Sequence, residues 1–180
     1  MNILLASGSP RRKQLLEEMG HRVTVAKPDF DESGVAEKDP KKLVATLAAG
    51  KGRSVAPPAE GLLVAADTVV VFGGKVLGKP HSPAEAFQML KAMSGRSHWV
   101  YTGVYLAKSG KERIFVEEAE VQFRPLSDQE INTYIATGSP MDKAGAYGIQ
   151  DSGFVAGYQG SFHNIMGFPT EKFQEEAERI

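Results

Sequence analysis

The residue types best suited to chemistry crowd the start of the chain. Ser7, Gly8, Ser9, Pro10, Arg11 and Arg12 follow directly on the apolar run Ile3-Leu4-Leu5-Ala6. Ser9 suits a helix N-cap and Pro10 the first helical position, so a short buried strand feeds a Gly/Ser turn and then a helix. Backbone N–H groups at such a helix start converge on one point, and the helix dipole adds partial positive charge there. Cations in a first helical turn oppose that dipole, so Arg11, Arg12 and Lys13 cost helix stability and point to another use, the binding of an anion such as a phosphate. The same residues also occur at strand–turn–helix junctions for backbone reasons alone. The run is neither a Walker A loop nor a G-x-G-x-x-G fingerprint.

Asp67 is the most informative single acid. It lies between Ala65-Ala66 and Val69-Val70-Val71, inside a buried-strand pattern. A carboxylate there costs several kcal/mol unless it is paired, hydrogen-bonded or bound to a metal. A structural Asp that pairs with a lysine fits the pattern equally well. Asp29, Asp31 and Glu32 close the second strand, Lys51 ends a helix, and Lys79 sits in Gly78-Lys79-Pro80. Each taken singly reads as structural. As a set, Arg12, Lys51 and Lys79 supply charges for phosphates, while Asp67 and Glu32 supply oxygen ligands for Mg²⁺ or a base for water. The stretch Asp142 to Gln150 is rich in small residues. It reads either as an irregular, bulged strand or as a surface that a flat base can approach closely, with Gln150 at its edge. His163 has no partner spacing of a metal site and reads as structural.

The elements that must position these groups alternate. The pattern predicts strand 2–6, helix 10–19, strand 22–26 and a helix near 40–54 opened by Asp39-Pro40. A strong strand at 62–66 continues through 69–72 and turns at Gly73-Gly74. Ser82-Pro83-Ala84-Glu85 is a capping box before a helix at 83–93, and Ser127 to Glu130 is a second one before a helix to about 136. Between these helices lie two long strands, near 97–107 and 112–124. The Gly-rich segment from Gly138 to Gly167 is expected to hold shorter strands, and Thr170 to cap a final helix. This alternation predicts a single α/β domain over residues 1–180, with a mixed central β-sheet flanked by helices.

Composition narrows the class. The 180 residues carry 21 Lys and Arg against 22 Asp and Glu, a formal net charge of −1, so no global basic field invites nucleic acid. Cys is absent, which excludes disulfides, thiolate catalysis and Cys-based zinc sites. No apolar run approaches a membrane span and no leader pattern is visible, so a cytoplasmic enzyme or binding protein is expected.

Taken together, Ser7-x-Ser9-Pro10-Arg11-Arg12, Asp31-Glu32, Leu47-x-x-x-Lys51, Ala66-Asp67-Thr68-Val69-Val70, Gly78-Lys79-Pro80, Thr102-Gly103-Val104, Asp142 to Gln150 and Gly160-Ser161 resemble the Maf family of nucleotide pyrophosphatases along essentially the whole chain. The departures are Gly52, where the family has Ala, and the segment His163 to Pro169, where the family is more aliphatic. The resemblance implies an ITPase-like fold of two closely packed lobes with a cleft between them. It also implies cleavage of nucleoside triphosphates between the α and β phosphates with a divalent cation (Mg, Mn or Co), and a possible homodimer. Asp67 matches the group that activates water. Arg11, Thr68 and Gln150 match the selectivity positions of the branch acting on dTTP and UTP. Glu32 and Asp67 are expected near the metal, and Ser7, Ser9, Arg12, Lys51 and Lys79 at the phosphates. Uracil and thymine present acceptor, donor and acceptor at O2, N3–H and O4, a pattern that Arg and Gln complement and that cytosine inverts. A non-catalytic nucleotide-binding regulator of cell division is the alternative.

Overall fold

The computed structural model describes residues 1–180. In chain order the elements are β1 (Asn2–Ala6), α1 (Pro10–Glu18), β2 (Arg22–Ala26), a 3-10 turn at Glu32–Gly34, α2 (Pro40–Arg53), β3 (Leu62–Phe72), β4 (Lys75–Leu77) and α3 (Pro83–Met93). They continue through β5 (Ser97–Lys108), β6 (Lys111–Phe123), α4 (Asp128–Ala136), α5 (Ile149–Ser152), β7 (Val155–Gln159), α6 (Phe162–Met166) and α7 (Thr170–Ala177). Seven strands form one sheet in the order β2-β1-β3-β5-β6-β7, with β4 paired to β3. β1 runs parallel to both β2 and β3, whereas β4 on β3 and β7 on β6 are antiparallel, so the sheet is mixed as expected.

The chain divides into two compact units: Met1–Thr68 with Thr102–Glu117 and Gly167–Ile180, and Val69–Tyr101 with Glu118–Met166. In the first, Ala6, Ala48, Ala49, Leu63, Ala65, Tyr105 and Ala107 form a buried cluster. Small residues dominate it because α2 lies very close to the sheet. A Cβ on Gly103 would stand 2.3 Å from the carbonyl oxygen of Val44. In the second unit Leu90, Met93, Val121, Phe123, Ile131, Tyr147 and Phe154 anchor a larger core. Its centre is aromatic, with Phe123 edge-on to His98, Tyr147 and Phe154 at centroid distances of 4.8, 4.7 and 5.9 Å.

The helix starts follow their sequence signals with three exceptions. The side chains of Asp39, Ser82 and Ser127 cap α2, α3 and α4, the last as a reciprocal capping box with Glu130. The box expected at Ser82 is only half formed, because the Glu85 carboxylate accepts from His81 N–H at 2.9 Å. Ser9 holds the cap position of α1 with extended backbone but makes no side-chain cap bond; instead its N–H donates to Ser7 Oγ at 3.2 Å. Thr170 does not cap the last helix. It is the first residue of α7, and Pro169 precedes it without a side-chain cap. The segment from Gly138 to Gly167 also departs from expectation. It holds one strand, β7, alongside 3-10 turns at Ser139–Asp142 and Ala144–Ala146 and the short α5 and α6. Gly145 takes φ +71, a left-handed conformation that breaks extended structure, and its missing side chain leaves room for Val70.

Candidate active site

β3 carries Asp67 as the sixth of its eleven residues, in a stretch of consecutive buried side chains. α2 brings Lys51 to it from the last helical turn, where a cation also complements the helix dipole. Lys51 Nζ lies 2.5 Å from Asp67 Oδ1 and 2.8 Å from Glu32 Oε1. The side chains of Lys51 and Asp67 are only 15% and 12% exposed, whereas that of Glu32 is 50% exposed. One ammonium therefore joins an interior carboxylate to one at the surface. Glu32 opens the 3-10 turn that Asp31 caps by accepting from Ser33 N–H at 2.9 Å and from Ser33 Oγ at 2.6 Å.

Arg12 occupies the other flank of Asp67. Its Nε donates to Gly167 O at 2.9 Å, Nη1 to Ala66 O at 2.9 Å and to Ser7 Oγ at 3.2 Å, and Nη2 to Thr68 Oγ1 at 3.0 Å. Burial pulls this guanidinium below its ordinary pKa, while the negative charge of Asp67 acts in the opposite direction. Four of its five N–H groups donate to protein oxygens on both sides of Asp67. Thr68 belongs to the same network, 2.9 Å from Thr102 Oγ1 and 3.3 Å from Gly167 O. Ser7 is buried and accepts from both Ser9 N–H and Arg12. Arg11 is half-buried at the second position of α1. The first unit thus brings together Ser7, Ser9, Arg12, Glu32, Lys51, Asp67 and Thr68.

Lys79 and Gln150 belong to the second unit. Lys79 is exposed in the loop after β4, and Gln150 is exposed in the single turn of α5. The loop leading to Gln150 is held by buried hydroxyls. Tyr134 of α4 accepts from Gly148 N–H at 2.9 Å and donates to Asp151 at 2.8 Å. His98 of β5 meets the Tyr147 hydroxyl at 2.6 Å. Burial pushes the Tyr134 phenol up to about 12 and His98 down to about 4, so both side chains hold the loop in neutral form. Sequence reasoning missed Tyr134, His98 and the Arg12–Gly167 bond. The last spans 155 positions, and no local pattern announces such a partner.

The donor set suits a hard cation. No group of three or more His, Asp or Glu side chains converges anywhere. Glu32 and Asp67 offer carboxylate oxygens alone, which fits Mg²⁺ or Mn²⁺, ions held by one or two carboxylates and completed by water and phosphate oxygens.

Comparison with known proteins gives the family of the chain. A family model described as Maf-like protein matches residues 2–180. The chain belongs to the Maf family. A dTTP/UTP pyrophosphatase of Halalkalibacterium halodurans is 49% identical over 94% of this chain and 91% of its own length. One from Carboxydothermus hydrogenoformans is 46% identical over 98% and 97%. Among solved structures, the Ham1 protein of Staphylococcus aureus matches with TM-score 0.57 at 12% identity, covering 99% of both chains. A HAM1 protein from Coxiella burnetii gives 0.55 at 16% identity, covering 100% of both. At such identities the likeness is one of fold.

The departure at position 52 now has a cause. A Cβ there would lie 2.1 Å from Cδ1 of Tyr105, so the glycine after Lys51 makes room for that ring. The ring in turn carries Arg53 at 5.8 Å from its centroid and donates to Glu112 at 2.6 Å.

Proposed function

We propose that this Maf-family chain is a nucleoside triphosphate pyrophosphatase that converts dTTP and UTP to the monophosphate and pyrophosphate. The names of its relatives, at 46–49% identity over nearly its full length, support the reaction and the substrates. The single observation that carries the mechanism is the buried pair of Lys51 from α2 and Asp67 inside β3, with Glu32 on the same ammonium. A buried ion pair of this kind contributes little to stability relative to apolar packing, so its presence points to use.

In this mechanism Asp67 accepts a proton from the water that attacks the α phosphorus. The bond from that phosphorus to the oxygen bridging the β phosphate breaks, and pyrophosphate leaves. Glu32 and Asp67 would hold a divalent cation, which supplies charge neutralisation at the phosphates when bound. Lys51 orients the Asp67 carboxylate. Arg12 fixes the backbone carbonyl of Ala66 and the hydroxyl of Thr68 on either side of it, which is how Thr68 enters the site. α1, with no side-chain cap, has amide groups suited to phosphate oxygens, aided by Ser7, Ser9 and Lys79. Arg11 and Gln150 read the base. Cytosine in place of uracil would leave polar groups unpaired at about 1–3 kcal/mol each. The near-neutral charge suits an enzyme of free nucleotides in the cytoplasm.

The test is a product assay across nucleoside triphosphates with Mg²⁺ or Mn²⁺. Monophosphate and pyrophosphate from dTTP and UTP, with little from CTP or GTP, is the expected result. Diphosphate and free phosphate would move cleavage to the terminal bond and overturn the mechanism. Tight binding without turnover would instead indicate a nucleotide-binding regulator.

A further inference from the structure

Lys51 is flanked by two glycines, and an aromatic ring occupies the place of each missing side chain. A Cβ on Gly50 would stand 2.3 to 2.6 Å from the far edge of the Phe30 ring, and one on Gly52 would stand 2.1 to 2.9 Å from the near side of the Tyr105 ring. Glycine is a poor helix residue, and two of them bracketing one lysine in the last turn of α2 weaken that turn unless something else needs the space. A second tie runs beside the first. Asp29 N–H donates to Ser54 Oγ at 3.1 Å, and Ser54 Oγ donates to the carbonyl of Lys51 at 2.7 Å. Residues 29 and 30 are thus fastened to the helix turn that carries Lys51, just before Glu32 reaches its ammonium at 2.8 Å.

We infer that Phe30, seated on Gly50, is a positioning residue: it docks the 29–32 segment on α2 and so sets Glu32 against Lys51 and Asp67. Glu32, half exposed on a three-residue 3-10 turn, has no strand or long helix of its own to fix it. The Phe30–Gly50 contact and the Ser54 bridge supply that fixity. Tyr105 on Gly52 secures the opposite side of the same turn from within the core, where it is 2% exposed. The inference rests on the pyrophosphatase reading for its kinetic consequence, but its structural content is separate.

The test uses Phe30→Ala, Gly50→Ala, the paired variant Gly50→Ala with Phe30→Leu, and Phe30→Ala combined with Glu32→Gln. Phe30→Ala and Gly50→Ala should each lower kcat for dTTP by about 10- to 100-fold, the scale of a misplaced group. The melting temperature should hold or, for Gly50→Ala, rise, because alanine favours the helix. The paired variant removes the far ring atoms that an added Cβ would strike, and most of the lost kcat should return. In the Glu32→Gln background Phe30→Ala should add about twofold or less, as expected when one residue acts through the other. Amide exchange of residues 29–34, measured without nucleotide or metal, should quicken in both single variants and recover in the paired one.

Unchanged kcat in Phe30→Ala and Gly50→Ala would overturn the inference. So would a loss that persists undiminished in the Glu32→Gln background. If the wild-type protein releases no pyrophosphate, the enzymatic reading fails instead, and the exchange of residues 29–34 still decides the docking role. Gly52→Ala is unsuited to this purpose, since its Cβ meets a ring in the core that cannot swing away.

Discussion

At the scale of single residues, the site divides labour between groups that act and groups that hold. Asp67→Asn keeps shape and removes the base, so turnover should fall by about 10²- to 10⁴-fold while a nucleotide titration still shows binding. Arg12 makes the opposite prediction. Arg12→Met strips four hydrogen bonds from the oxygens of Gly167, Ala66, Ser7 and Thr68. Buried acceptors left without partners should lower stability by about 2–4 kcal/mol in urea unfolding. A raised KM with an unshifted unfolding midpoint would instead fit the phosphate contact expected of Arg12. The arginine was readable in the sequence as a functional residue because its charge sits at a helix start. Its partners were not, because two are backbone carbonyls, which have no sequence signature.

At the scale of elements, the boundaries that follow from local chemistry were legible. The serine cap at Ser82, the capping box at Ser127 and the proline at the start of α2 mark helices whose backbone needs are met within four residues. Ser82→Ala and Ser127→Ala should each lower stability by about 1 kcal/mol, whereas Ser9→Ala should change it by only a few tenths. Parallel urea titrations check this, and a fall in kcat/KM for Ser9→Ala alone would fit a hydroxyl reserved for ligand. The segment from Gly138 to Gly167 was not legible, because its shape is dictated from outside. Gly145 turns left-handed where Val70 presses on it, and Tyr134 and His98 hold the following loop from elements far off in sequence. The glycines around Lys51 are similar: their composition is visible, but the rings of Phe30 and Tyr105 that require them are not.

At the scale of the whole molecule, the alternation of elements and the mixed sheet could be read from hydrophobic pattern, since periodicity reports burial. The response to acid could not, because it depends on which ionisable groups fold inward. His98 is 1% exposed and its pKa falls to about 4 from an ordinary 6.5. Between those values the unfolded chain binds a proton that the folded one refuses. Stability should therefore decline as pH drops from 6.5 to 4, at up to about 1.4 kcal/mol per unit. His98→Gln should flatten that slope. Glu176 extends the acid limb. Arg113, with Arg179 and Lys172, holds its carboxyl below the ordinary 4.5, so its stabilisation is complete above that value and vanishes as pH falls through the folded one. Urea midpoints between pH 7 and 3 for wild type, His98→Gln and Glu176→Gln separate the two contributions.

A carboxylate set sixth in an eleven-residue buried strand also bears on how far this protein can be toughened. Replacing Lys51 and Asp67 together by Met and Leu would trade a desolvated ion pair for apolar contact. Such exchanges often gain about 1–4 kcal/mol. The doubly substituted chain should melt higher than its parent and turn over nothing. Selection for heat resistance alone would therefore erode the centre of the sheet first, and a thermostability screen on this scaffold needs an activity filter to keep that position acidic.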